Sequence, residues 1–235
     1  MGELVVANFN SHWGVTRRGS GFDYLSACRD LGAEVLVVEE CWRPDGAEGM
    51  GAEVARHLGY ELHLVELARG VWGRRPRIAR RGEPGDGNWG FAVLTRVPVL
   101  ESERVDLGHL PLDPSPRAAL RLVLEAGGSK LEMCATHLSH LSHGSVIQLA
   151  RLRRVLPDGE RAGLLVGDLN MWGPVVCRLL PGWRRAVRGR TWPAHRPHSQ
   201  IDHILCRGPV EVVASGVLGD RGSDHRPVWA RLALP

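Results

Sequence analysis

Gly222-Ser223-Asp224-His225-Arg226-Pro227-Val228 sets a carboxylate beside an imidazole just ahead of an apolar run, Val228 to Leu234, that reads as a strand. An acid and a His fixed at a strand mouth can hold a cation and handle a proton in one small volume, which is what hydrolysis of a phosphate ester requires. Four other polar clusters also end apolar runs: Asn8-Phe9-Asn10, Glu39-Glu40, Thr136-His137-Leu138 and Gly167-Asp168-Leu169-Asn170. A fifth, Ile201-Asp202-His203-Ile204-Leu205, places an Asp inside a run that otherwise reads as buried strand.

The runs themselves indicate the class. Leu4-Val5-Val6-Ala7, Val35-Leu36-Val37-Val38 and Gly163-Leu164-Leu165-Val166 are apolar at consecutive positions, as strands covered on both faces are. Helical spacing over Asp23 to Leu31, with Gly32 as a stop, and over Ala47 to Leu58 alternates with these strands in the manner of an α/β chain. A strand is expected over Tyr60 to Leu67, others over Asn88 to Arg96 and Val99 to Leu107, and a hairpin from Ala118 to Ala135 about Gly127-Gly128. That half of the chain is therefore antiparallel or mixed. A basic amphipathic helix is expected over Val146 to Leu156, ahead of Pro157, and strands over Val210 to Val217 and Val228 to Leu234 close the chain.

Composition narrows the setting. With 235 residues, 43% hydrophobic and 24% charged, the chain suits one sizeable core, and neither an internal repeat nor a low-complexity linker divides it. The net charge of +4 favours an anionic partner, with Lys130 the only lysine among the basic residues. Five scattered cysteines suggest neither a disulfide framework nor a zinc knuckle, so a reducing cytoplasmic setting is expected. No apolar stretch reaches the roughly 20 residues that span a bilayer, and the short run after Met1 lacks a signal peptide's basic leader.

Two adjacent carboxylates, Glu39 and Glu40, closing a buried strand are costly unless a cation meets one of them; solvated acids in a loop are the alternative. Arg69 to Arg81 carries six arginines and Trp72 without an acid. Such a stretch can grip a phosphodiester backbone and stack a base, or it can be a solvated insertion. Arg184 to Arg190 is a second basic stretch. His137, His140 and His143 recur at three-residue spacing, but a strand-to-loop context gives no reason for their rings to converge on a metal.

Taken in order, strand-Asn, strand-Glu, Gly-Asn-x-Gly, Thr-His-Leu, Gly-Asp-x-Asn, Ile-Asp-His-Ile and Ser-Asp-His-Arg-Pro-Val, these motifs resemble the endonuclease/exonuclease/phosphatase superfamily. That group includes apurinic-site endonucleases, pancreatic-type deoxyribonucleases, neutral sphingomyelinases and inositol polyphosphate 5-phosphatases. The resemblance spans essentially the whole chain. It implies a four-layer α/β sandwich, two packed mixed β-sheets flanked by helices, as a single catalytic domain over residues 1–235.

The resemblance also implies roles. Glu40 resembles the carboxylate that holds the metal, with Asn8 and Asp224 near the same cation, an oxygen set suited to Mg²⁺ or Mn²⁺. Asp168 and Asn170 resemble the pair that orients the attacking water, His225 the His acting on nucleophile or developing charge, Asp202 the acid fixing its tautomer, and His137 a donor to phosphoryl oxygens. Asn10 stands where many members carry Asp, and Glu39 where many carry Gln. The signature of inositol phosphatases is absent at Gln200-Ile201-Asp202-His203. The expected activity is metal-dependent hydrolysis of nucleic-acid phosphodiesters. The alternatives are a small or lipid phosphate ester, or a catalytically silent binding protein; a silent copy has no need of Glu40, His137, Asp168, Asn170, Asp202, Asp224 and His225 together.

Overall fold

In the computed structural model, which describes residues 2–157 and 161–235, thirteen strands form two mixed sheets. The first sheet contains β1 (Gly2–Asn10), β2 (Val35–Pro44), β3 (Glu61–Val71), β4 (Arg77–Ile78), β5 (Gly87–Thr95), β12 (Glu211–Val217) and β13 (Val228–Leu234), in the order β12-β13-β1-β2-β5-β3-β4. The second contains β6 (Val99–Gly108), β7 (Arg117–Ala126), β8 (Ser129–Thr136), β9 (Gly163–Asp168), β10 (Arg184–Arg185) and β11 (Asp202–Arg207), in the order β10-β11-β9-β8-β7-β6. Each sheet has one parallel pair, β1 with β2 and β8 with β9. The remaining ladders are antiparallel.

Strand period places the core. Leu4 and Val6, Val35 and Val37, Phe91 and Val93, Met133 and Ala135, and Leu164 and Val166 alternate onto the inner faces and interdigitate between the sheets. The opposite set on the first sheet, Ala7, Phe9, Leu36, Val38, Ala92 and Leu94, packs under α1 (Tyr24–Leu31) and α2 (Met50–Leu58). On the second sheet Cys134, Leu165 and Leu205 lie under α3 (Ser142–Leu152) and α4 (Gly173–Leu179). Both faces of each sheet are covered, which is why the central strands read as unbroken apolar runs. The layers are helix, sheet, sheet, helix, the sandwich that the motif order implies.

Three boundaries differ from the pattern. Helix α3 spans Ser142–Leu152 rather than Val146 to Leu156, with Val146 and Ile147 facing outward while Ser145, Gln148 and Leu149 are buried and with a turn at Leu152 to Val155 closing it; Gln148 Oε1 accepts the Ser139 N–H at 2.8 Å, giving that buried amide a partner. Helix α4 has no counterpart in the sequence pattern. The stretch from Arg69 to Arg81 is not one loop, since β3 stays paired with β5 as far as Gly70 and then turns back through β4.

Candidate active site

The apolar inner rows continue into polar residues at one end of the sandwich. On β1 the face carrying Leu4 and Val6 carries Asn8 and Asn10 next; on β2 Val35 and Val37 lead to Glu39; on β8 Met133 and Ala135 lead to His137; on β9 Leu164 and Val166 lead to Asp168. On β11 the inner row begins with Asp202 and continues through Ile204 and Cys206. Period two thus assembles the site from strands distant in sequence.

Two backbone features complete it. A bulge between Glu39 and Cys41 leaves Glu40 in the left-handed region at φ 54°, so that it joins the inner group although strict alternation would turn it outward. Gly167 has φ 148°, and a Cβ there would lie 1.8 Å from the Thr136 carbonyl oxygen, which is why this motif opens on Gly.

Asp168 is the hub. Its Oδ1 accepts the Asn170 N–H at 2.9 Å, and its Oδ2 accepts from Asn10 Nδ2 at 3.2 Å. His137 Nε2 and His225 Nε2 stand 3.7 and 3.8 Å from that same Oδ2. His225 Nδ1 lies 3.0 Å from both Asp202 oxygens, and the Asp202 N–H is in turn near Thr191 Oγ1 at 3.4 Å. Ser223 Oγ donates to the Asn10 carbonyl at 2.7 Å and faces the His225 N–H at 3.2 Å, tying the C-terminal motif to β1.

Burial and neighbouring charge set the protonation states. Asp168 is pushed up to about 7, first by burial and then by Asp202. Burial opposes charge on His225, yet Asp202, Asp168 and Asp224 together hold the ring well above the ordinary His range. His137 is pushed well below it by burial, Arg117 and His225. Glu39, fully buried, is raised by burial and by Asp202 and Asp168; its Oε1 accepts the Asp168 N–H at 2.8 Å.

The residues expected at a metal separate into two groups. Glu40 and Asp224 face the common volume, where burial and then the Asp224 charge raise Glu40's affinity for a proton against the opposing pull of His12. Glu40 Oε1 meets Asn10 Nδ2 at 3.4 Å, and Asp224 Oδ1 is buried without a hydrogen-bond partner. An oxygen-rich set with an orphaned carboxylate oxygen fits a hard cation. Asn8 lies one strand period deeper, with no exposure, and with its amide turned to donate it sits 2.6 and 3.3 Å from the Glu39 oxygens. Asn10, not Asn8, bridges Glu40 and Asp168. The three-His spacing does not converge: His140 lines the cavity, and His143 lies exposed on α3. Among the described residues the grouping of possible ligands within 4.8 Å is Asp168, Asp202 and His225.

These groups open into a cavity of about 590 Å³ whose walls include Trp13, Trp89, Arg117, Trp192 and Ile201. The motifs of the chain do not announce this wall. Trp72, Trp42, Trp13 and Trp89 stack in succession with ring centroids 5.3 to 5.9 Å apart, and Trp89 meets the His137 ring at 5.5 Å. Arg117 lies 5.1 Å over Trp89 and 3.4 Å from Asp113, and its Nε has no partner. The one signal the sequence offers is Trp89 in Gly-Asn-Trp-Gly, at the start of a strand whose inner row it heads.

No curated protein matches the chain by sequence. The solved endonuclease/exonuclease/phosphatase from Beutenbergia cavernae DSM 12333 aligns over 100% of this chain and 72% of its own at 24% identity, TM-score 0.75. The mannosyl-6-phosphatase of Bacteroides thetaiotaomicron VPI-5482 aligns over 98% and 100% at 16% identity, TM-score 0.68. Humanized D. rerio TDP2 aligns over 99% of each chain at 18% identity, TM-score 0.67. At these identities the likeness is one of fold. The model of the Endonuclease/Exonuclease/phosphatase family matches residues 11–225, and the chain belongs to that family, a group named for enzymes that hydrolyse phosphate esters.

Proposed function

We propose that the protein is a divalent-metal-dependent phosphodiesterase that hydrolyses nucleic-acid phosphodiester bonds. The observation that carries this reading is the meeting of Asp168, Asp202 and His225, of which Asp168 and His225 line a cavity whose walls are cationic and aromatic. Acids and an imidazolium serve attack on phosphorus; Arg117 offers a counter-charge, and the tryptophan faces offer stacking.

Glu40 and Asp224 would hold the ion, Mg²⁺ or Mn²⁺, which when bound would offset negative charge on the phosphate, while Asn10 Nδ2 steadies the Glu40 and Asp168 carboxylates. Asp168, raised to about 7, takes a proton from water near neutral pH. Asn170 donates its backbone N–H to Asp168 Oδ1 and its Nδ2 to the Leu138 carbonyl at 3.0 Å, which fixes both side chains. His225 donates Nδ1–H to Asp202 and presents Nε2 to the phosphate as a proton donor. Neutral His137, braced by Trp89, supplies a hydrogen bond to a phosphoryl oxygen.

A second reading, a small phosphate ester as substrate, has in its favour the cavity volume of about 590 Å³, within the usual range of small-molecule sites. One panel separates the two: plasmid, single-stranded DNA, RNA, sugar phosphates and a chromogenic phosphodiester, each with Mg²⁺ and with EDTA. Cleavage of nucleic acid that EDTA abolishes supports the proposal. Turnover of sugar phosphates alone rejects it.

A further inference from the structure

Beyond the catalytic cavity, a second one of about 690 Å³ is lined by Arg17, Arg18, Arg74 and Arg75. All four are exposed, and among the described residues none has a carboxylate partner. Their neighbours differ. Arg69 is held by Asp45 at 2.7 Å, and Arg77 by both Glu83 oxygens at 2.7 and 2.8 Å. The charge of the β3–β4 hairpin is thus neutralised at its base and left open at its tip.

The two arginine pairs come from separate turns fixed against each other. Arg17 and Arg18 occupy the centre of a turn closed by Gly19 N–H on the Thr16 carbonyl at 2.8 Å and flanked by the Val15 to Gly21 bridge. Gly19 has φ 80°, and a Cβ there would lie 2.1 Å from the Arg74 carbonyl oxygen, so only Gly allows the tips to touch. Four like charges on apposed turns repel one another, screened over roughly 8 Å in physiological salt, and an anion between them relieves that repulsion. Chain connectivity links this cleft to the catalytic one: Trp13 lines the catalytic cavity four residues before Arg17, and Arg77 lines it two residues after Arg75.

We propose that this arginine cleft binds backbone phosphates of a nucleic-acid strand at a distance from the bond being cut. This rests on the reading of the substrate as nucleic acid and adds the place where the strand's uncleaved part is held. Arg77, paired with Glu83, is not part of it.

The test is fluorescence anisotropy of a labelled single-stranded DNA 20-mer in EDTA, where binding is read without cleavage, for wild type and for the variant with Arg17→Ala, Arg18→Ala, Arg74→Ala and Arg75→Ala. Each arginine–phosphate pair removed should flatten the log Kd against log salt slope by about 0.7, so the variant should bind at least about tenfold more weakly at low salt, with a slope shallower by roughly 2 to 3. Its turnover of the chromogenic diester should match wild type, since that substrate does not reach the cleft, and its melting temperature should not fall, since only mutually repelling charges are removed. The two pairwise variants, each expected to show part of the effect, keep the test valid if the fourfold variant misfolds. Equal affinity and slope in wild type and variants overturn the proposal, whatever is cleaved. Arginine-dependent binding of a 20-mer that is never cut with Mg²⁺ present would keep the cleft and reject the nuclease reading.

Discussion

Asp168 and Asp202 face each other as register partners on antiparallel β9 and β11. Like charges directly opposite are repulsive, and here both acids are buried. His225 resolves the conflict, with Nδ1 3.0 Å from Asp202 and Nε2 3.8 Å from Asp168 Oδ2. One imidazolium thereby serves two carboxylates: it is kept charged by them, and it offsets in part the rise in proton affinity that burial and Asp202 impose on Asp168.

If Asp202 acts only through the His225 ring, the two residues form one unit. Asp202→Asn and His225→Ala should each lower kcat by about 10²-fold or more, and the double variant should be little worse than His225→Ala alone. Steady-state kinetics of the two single variants and the double decide it; multiplicative losses would mean separate roles.

Glu40 carries the charge that would hold the cation. Glu40→Gln keeps the shape and removes the charge, so kcat/KM should fall by about 10²-fold or more and recover only in part as Mg²⁺ is raised. A titration of activity against Mg²⁺ checks this, and wild-type activity in the variant would remove Glu40 from the site.

Glu39 supports Asp168 through its backbone N–H, a bond that an amide can make equally well. Because burial and two neighbouring acids raise its folded pKa, the unfolded chain releases this proton at lower pH, and stability falls as pH rises above the unfolded value near 4.5. Glu39→Gln should therefore raise Tm over wild type, and by more at pH 8 than at pH 5, in EDTA. Glu39→Ala should lower Tm at both, since it leaves the Asp168 N–H and the Asn8 amide without this partner.

His203 faces the opposite way on β11, with Nε2–H donating to the Met171 carbonyl at 2.9 Å and Nδ1 buried without a partner. Burial pushes it down to about 4 from the usual 6.5. As pH falls below 6.5 the unfolded chain takes a proton that the folded ring refuses, so stability declines across that window. The group should cost roughly 2 to 3 kcal/mol between about pH 7 and pH 4.5. Urea unfolding of wild type and His203→Gln at the two pH values should show a smaller decline in the variant; parallel declines would mean that the ring titrates freely.

The layered α/β sandwich and Asp168, Asn170, Asp202, His225 and His137 as site residues were implied by the resemblance that the motif order carries, and the ends of the strands where polar residues collect were read from the apolar runs. They were legible because period two is local: a polar residue that continues an inner apolar row must emerge at the mouth of the core. What the rows could not carry is depth and pairing. Asn8 and Asn10 share one face, and their difference, one against Glu39 and the other between Glu40 and Asp168, depends on how far the partner sheet extends. Glu40 needs a bulge that breaks the period by one residue. The tryptophan stack joins residues 13, 42, 72 and 89 through four separate segments. The arginine cleft likewise exists only because Gly19 lets one turn touch another. Such meetings of distant segments are fixed by packing of the whole, and no local pattern encodes them.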